Sequence, residues 1–257
     1  MKLVKKIAAT AAMVMMATAV FAIDGKTVVQ QALDVKEPDF SMSQVYMDLI
    51  EKDGTTERRA IVEYGKSEED SDSMIMMFKS PASVKDTRFL QITHDGADDD
   101  KWIYLPALRT TRRVASSQGD KSFMGSDATY DDMSTRDIND DTHELLAEDV
   151  NKNGYTCYQV KSTPVNADDA QYKYRISWYD KATHLPIYAE MYDKDGKLLK
   201  TLEVEEIQNI DGYDTPMKNL LTNVQTGHAT RLTIVKLVVD KPIPDRVFTQ
   251  SFLKTGR

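Results

Sequence analysis

With 257 residues and a formal net charge of −8, the chain can build one large core, but it is too acidic for sequence-independent nucleic-acid binding, which draws on a basic surface. The same charge excludes adsorption on an anionic membrane by electrostatics alone. A single cysteine, Cys157, excludes an internal disulfide, so packing has to hold the fold.

The chain starts with a basic segment carrying Lys2, Lys5 and Lys6, followed by an uncharged, mostly apolar run from Ile7 to Phe21. Val20-Phe21-Ala22 supplies a small-residue cleavage site, so the pattern predicts a signal peptide at residues 1–22, cut near Ala22, and an exported domain over 23–257. The apolar run is short of the about 20 residues a transmembrane helix needs. No cysteine follows it, which excludes a lipid-modified mature terminus.

Asp24 can cap a helix over Gly25 to Val35, with Val28, Val29, Ala32 and Leu33 as its apolar stripe and Pro38 beyond its end. β patterning then takes over. Val45–Ile50 and Ala60–Tyr64 flank Asp53-Gly54, a strong hairpin signal. Glu68 to Asp72 reads as a solvated acidic loop. Met74–Phe78 is an apolar strand stopped by Pro81, and a short helical piece is expected between Pro81 and Asp86. Arg88–Thr93 is a strand, and His94 to Lys101 an aspartate-rich loop. Further strands are expected at His143–Asp149 and Tyr155–Ser162 around Asn153-Gly154, then at Tyr172–Tyr179, Leu185–Tyr192, Leu198–Ile207, Thr230–Val239 and Val247–Leu253. Cys157 alternates with Tyr155 and Gln159 and reads as a small core residue. Roughly ten strands joined by tight turns imply a single antiparallel sheet, and one of that length is expected to curl.

The densest stretch is residues 101–133. Trp102-Ile103-Tyr104-Leu105 runs into Pro106, and Arg109, Arg112 and Arg113 follow within five positions. Greasy surface beside concentrated positive charge suits an amphiphile with an anionic head, and it equally suits a buried strand with a solvated basic loop. Arg58 and Arg59 form a second basic pair, of which alternation turns one inward.

Enzyme chemistry finds little support. There is no G-x-S-x-G elbow or H-E-x-x-H pair, and His94, His143, His184 and His228 lie apart. Ser251 and Lys254 match S-x-x-K without its companion motifs. Asp137, Asn139, Asp141 and Glu148 mimic calcium-loop spacing, but Thr142 stands where the loop needs glycine. Neither a catalytic set, a metal site nor a cofactor is expected.

The run Trp102 to Arg113, then Ser122-Phe123-Met124-Gly125-Ser126-Asp127, then Tyr130 to Asp132, resembles the signature of the LolA-like outer-membrane lipoprotein-sorting proteins. The likeness extends over most of the chain after the leader and is sharpest between about Phe78 and Asp132. It implies a mainly β, single-domain, LolA/LolB-like fold, a strongly curved antiparallel sheet forming an open, incomplete β-barrel with a short helical cover. It also implies a non-enzymatic periplasmic carrier of lipoprotein acyl chains or phospholipid, meeting inner- and outer-membrane transport proteins and touching membranes transiently. Under that resemblance Met74, Met76, Phe78, Phe89, Trp102 and Tyr104 are candidate walls of a lipid groove, of which alternation admits about half. Arg59, Arg109, Arg112 and Arg113 are candidate contacts for a head group or a partner. An accessory of a membrane exporter and a hydrolase of envelope lipid remain as alternatives.

Overall fold

The structure is a computed structural model, and residues 23–94, 96–168 and 170–257 are described. The signal-peptide expectation lies outside the described residues. The described residues form one antiparallel sheet of thirteen strands in the order β6-β5-β4-β3-β2-β1-β13-β12-β11-β10-β9-β8-β7. In the first half, β1 is Phe40–Ile50, β2 Thr56–Glu68, β3 Ser71–Ser80, β4 Arg88–His94, β5 Ala97–Leu105 and β6 Thr110–Arg113. In the second half, β7 is Asp141–Lys152, β8 Tyr155–Pro164, β9 Tyr174–Asp180, β10 Pro186–Tyr192, β11 Leu198–Ile210, β12 Tyr213–Asn223 and β13 Ala229–Val239. Each half is a meander, and the pairing of β1 with β13 joins them at the centre.

Helix α1, Gly25–Leu33, stops two residues earlier than expected. Asp24 caps it, its carboxylate accepting from the Thr27 amide at 2.7 Å. Val28, Val29 and Ala32 pack on Val160 and Tyr179, so α1 lies across one face of β7–β9. Yet Gln30, Leu33 and Asp34 share a cleft with the β2–β3 and β4–β5 turns from the other half. The sheet therefore curls toward the face that carries α1, giving an open barrel with an inner and an outer face.

Several expectations need correction. Ala97–Leu105 is strand, not an aspartate loop, because Asp99 and Asp100 bond Lys101, Gln91 and Arg113 at the sheet surface. Pro81 to Asp86 forms turns rather than a helical piece. β12 was missed because Pro216 interrupts its pattern; a register shift between β11 and β12 lies next to that proline. Val247–Leu253 is not a strand. Asp245–Phe248 is a 3₁₀ turn and Gln250–Thr255 is helix α2, capped by the Thr249 hydroxyl. Arg88 holds the end of α2 by donating to the Leu253 carbonyl at 2.6 Å.

Gly25 permits the docking of α1. A Cβ there would lie 2.8 Å from the His143 carbonyl oxygen and from the Leu145 amide nitrogen, both backbone atoms of β7. Gly25→Ala is expected to lift α1 from the sheet and cost about 1–3 kcal/mol. Thermal unfolding and amide exchange across Val28, Ala32 and Leu145 would measure this; unchanged protection would refute it.

Candidate functional site

Alternation along β1–β5 sorts side chains to the two faces. Val45, Met47 and Leu49 of β1, Ile61 of β2, Met76 and Phe78 of β3, Phe89 of β4 and Ile103 of β5 share the inner face and one buried cluster. Ile75, Leu90, Trp102 and Tyr104 point outward, where Val247, Phe248, Phe252 and Leu253 of the C-terminal turn and helix cover them. Of the six residues expected to line a groove, Met74, Met76, Phe78 and Phe89 thus face inward. Trp102 and Tyr104 lie on the opposite face, with the Arg88 guanidinium 4.7 Å from the Tyr104 ring centre. They cannot share a wall with the other four.

The segment 114–140 runs from β6 to β7, the two edges of the open sheet, and lies across the inner face as a strap. Phe123 is fully buried, its ring 4.9 Å from Phe89 and 6.3 Å from Phe78, and Tyr130 stands 5.7 Å from Phe123. Polar clamps hold the strap to both halves. The Asp127 carboxylate accepts from the Thr230 hydroxyl at 2.7 Å and lies 2.7 Å from His228 Nδ1. The same Thr230 hydroxyl accepts from the Asp127 amide at 2.9 Å. Asp132 takes the Lys200 ammonium at 2.9 Å and the Tyr172 hydroxyl at 2.9 Å. Burial, then the adjacent carboxylate, pushes that phenol well above the usual tyrosine range, so it stays a donor. On the first half, Gln91 donates to the Met133 carbonyl at 2.9 Å and Arg59 to the Met124 carbonyl.

Arg59 is the inward member of the early arginine pair and is buried. Its contacts are the strap and Glu57 at 2.8 Å. Arg58 faces outward and pairs both carboxylate oxygens of Asp48, at 2.7 and 2.9 Å. Arg109, Arg112 and Arg113 are exposed on the β5–β6 hairpin beside exposed Leu108. Arg113 bonds Asp100 at 2.7 Å, whereas Arg109 and Arg112 make no ion pair among the described residues. The arginines are therefore not one cluster: Arg59 belongs to the interior and the other three to an edge.

At its centre the inner face is packed, with Phe78, Phe89 and Phe123 fully buried. Met74, Leu105, Leu202, Leu221, Leu232 and Ile234 pack against its clusters yet keep partial exposure. A separate cleft of about 790 Å³ opens at the turns and is lined by Glu68, Glu69, Asp70, Asp72, Asp98 and Asp137 among others. That mouth is acidic, not greasy. In the calcium-like loop, Asp141 is buried and pairs with Arg136 at 2.9 Å and with Arg175.

The sequence reading missed Asp127, Asp132, Lys200, His228 and Thr230 as clamps. Asp127 and Asp132 stood inside the signature, and their burial was the missing information. It also missed Glu63, which alternates with Arg59 and Ile61 onto the inner face, between Ser43 of β1 and Met76 of β3. Burial alone raises its carboxyl to about 7.

Comparison with known proteins finds the same open, mainly β fold elsewhere. Residues 70–255 match the model of a family described as an uncharacterized protein. A domain from Vibrio parahaemolyticus, described as an outer membrane lipoprotein-sorting protein, is similar at 30% identity and a TM-score of 0.83, covering 90% of this chain and 98% of its own. A DUF1329 family protein from Desulfovibrio piger is similar at 28% identity and TM-score 0.83, over 89% of this chain and 97% of its own. A LolA superfamily protein from Nitrosomonas europaea, at 20% identity and TM-score 0.67 over 90% of this chain and all of its own, shares the fold. No curated protein matches the chain. The chain belongs to the LolA-like outer-membrane lipoprotein-sorting protein family.

Glu63 makes a stability prediction. Its folded carboxyl titrates near 7, above its ordinary value of 4.5. Between those values the unfolded chain releases its proton first, so stability falls as pH rises from about 4.5 to about 7 and is flat beyond. Glu63→Leu is expected to stabilise the protein at pH 8 by on the order of 1–3 kcal/mol and by much less at pH 4. Urea unfolding at the two pH values measures the difference; an equal effect at both would contradict it.

Proposed function

We propose that this protein is an exported, non-enzymatic periplasmic carrier, which shelters the acyl chains of lipoproteins or phospholipids on its inner face and moves them toward the outer membrane. One observation carries the reading: the inner face is lined by partly exposed Leu, Ile and Met side chains and is crossed by a strap whose own aromatic rings occupy part of it. Each buried CH₂ contributes about 0.8 kcal/mol, so a sixteen-carbon tail brings roughly 12 kcal/mol of apolar surface that needs cover in water. Where Phe123 and Tyr130 now lie against Phe89, a tail would replace ring by chain at little net change in apolar burial. Redocking of the strap then favours release. Met74 and Met76, with adaptable side chains, suit a wall that meets more than one occupant.

The exposed Leu108, Arg109 and Arg112 offer a contact for an anionic head group or a membrane partner, and the acidic cleft directs anionic heads away from the turns. The same hairpin supports the exporter-accessory reading, in which it docks a protein and the interior stays closed. A hydrolase has weaker support. Asp127 orients His228, but among the described residues no serine or threonine hydroxyl bonds the other ring nitrogen.

A disulfide across the strap tests the carrier reading. With Cys157→Ala, the pair Asp127→Cys and Thr230→Cys replaces side chains already in contact. Uptake of a fluorescent fatty acid is expected in the reduced protein and at least tenfold weaker in the oxidised protein. Native mass spectrometry of wild type purified from its own envelope should show a bound amphiphile. No uptake by the reduced protein and no copurified lipid would overturn the reading and favour the accessory role.

A further inference from the structure

The inner face holds two polar groups that the strap does not engage. Glu63 makes no hydrogen bond or ion pair among the described residues. Directly opposite it in the β1–β2 register stands Ser43, 4% exposed, and the Ser43 hydroxyl has no partner either. Facing residues in a paired register have Cβ atoms about 5 Å apart, so both groups address one small volume. Their neighbours on that face are Val45, Ile61, Gly65, Met74 and Met76, which offer no side-chain hydrogen bond of ordinary strength, and Ser41, whose hydroxyl stands over Gly65. Buried polar groups are normally satisfied within the fold, and every other polar side chain described above as meeting the strap has a partner. Glu63 itself is half-buried.

We propose that Glu63 and Ser43 form a hydrogen-bonding anchor for the carbonyl-bearing junction of a bound acyl amphiphile, an ester, an amide or a protonated acid, placing the junction between β1 and β3 and the tail along the partly exposed inner face. This rests on the carrier reading and specifies where its cargo is held. A neutral carbonyl only accepts hydrogen bonds, so it needs donors. The Ser43 hydroxyl is one. Glu63 is the second when protonated, and burial, with no neighbouring charge contributing, holds it in that form up to about pH 7. The charged groups on that face are already engaged: Arg59 of β2 with Glu57 and the strap, and Lys101 with Asp99 on β5. An anionic acid head would be repelled once Glu63 ionises, whereas a plain hydrocarbon would gain nothing from either residue.

The experiment compares methyl palmitate with hexadecane as competitors of a fluorescent fatty acid, in wild type, Glu63→Leu, Glu63→Gln and Ser43→Ala, at pH 6 and pH 8.5. Wild type should bind the ester several-fold more weakly at the higher pH. Glu63→Gln, whose amide still donates, should lose that pH dependence. Glu63→Leu should weaken the ester about tenfold while leaving hexadecane unchanged or tighter, and Ser43→Ala should weaken the ester to a lesser degree. Equal ester binding by wild type and Glu63→Leu, or ester binding by wild type that ignores pH, would overturn the anchor while leaving the carrier intact. If neither competitor displaces the reporter from wild type, the carrier reading fails and the anchor with it.

Discussion

An open sheet of thirteen strands has two unpaired edges and a concave apolar face, and water penalises both. Segment 114–140 addresses them together. It leaves one edge at β6 and enters the other at β7, so its ends are fixed by the strands that most need cover. Between those ends it can reach only the inner face. The fully buried Phe123 ring against Phe89 is the contact on which this arrangement depends, because it gives the strap an apolar footing in the first half of the sheet. Without it the strap would be a polar loop over a greasy hollow.

The footing in the second half is electrostatic instead. Asp127 and Asp132 each accept from a hydroxyl and lie against a nitrogen, and their partners come from β13 and the turn before it, β11 and the segment before β9. Such charge-assisted contacts are short-ranged and directional. Apolar contacts are neither, and they are also interchangeable: an acyl chain can replace a ring, but it cannot replace a carboxylate paired with a lysine. The two halves of the strap therefore differ in what can displace them. The Phe123 end rests on apolar contact, while the Asp132 end is fixed by directional bonds.

Much of the fold was legible because hairpin chemistry is local. Asn153 and Gly154 both take positive φ, as a two-residue turn between twisted strands requires, and Asp53-Gly54 joins β1 to β2 as expected. What failed was decided by partners distant in sequence. Val247 to Leu253 has an apolar content that fits strand or helix equally, and it became a 3₁₀ turn and a helix because it covers Leu90 and Trp102 on the outer face. That packing also sets Trp102 and Tyr104 on the face opposite Phe89. The signature stretch was correctly singled out, but its greasy strand and its glycine-bearing loop serve opposite faces of the sheet. Arg59 read as an inward cation free for a head group, and only the fold shows that the Met124 carbonyl takes it.

The placement of charge gives the inner face a direction. At the turns, the cleft gathers acidic side chains around a single arginine, Arg136. Across the middle, the exposed lining is aliphatic, and the Ser43 hydroxyl and Gln91 Oε1 are buried there without a hydrogen-bond partner, with Glu63 opposite Ser43. At the β6 edge the free charges are Arg109 and Arg112. The charges are thus segregated, acidic at the turns and basic at the hairpin, with the aliphatic strip between them. The overall negative charge of the chain, which excludes binding to anionic surfaces in general, is thus compatible with one local basic edge, and that edge borders the strand from which the strap departs.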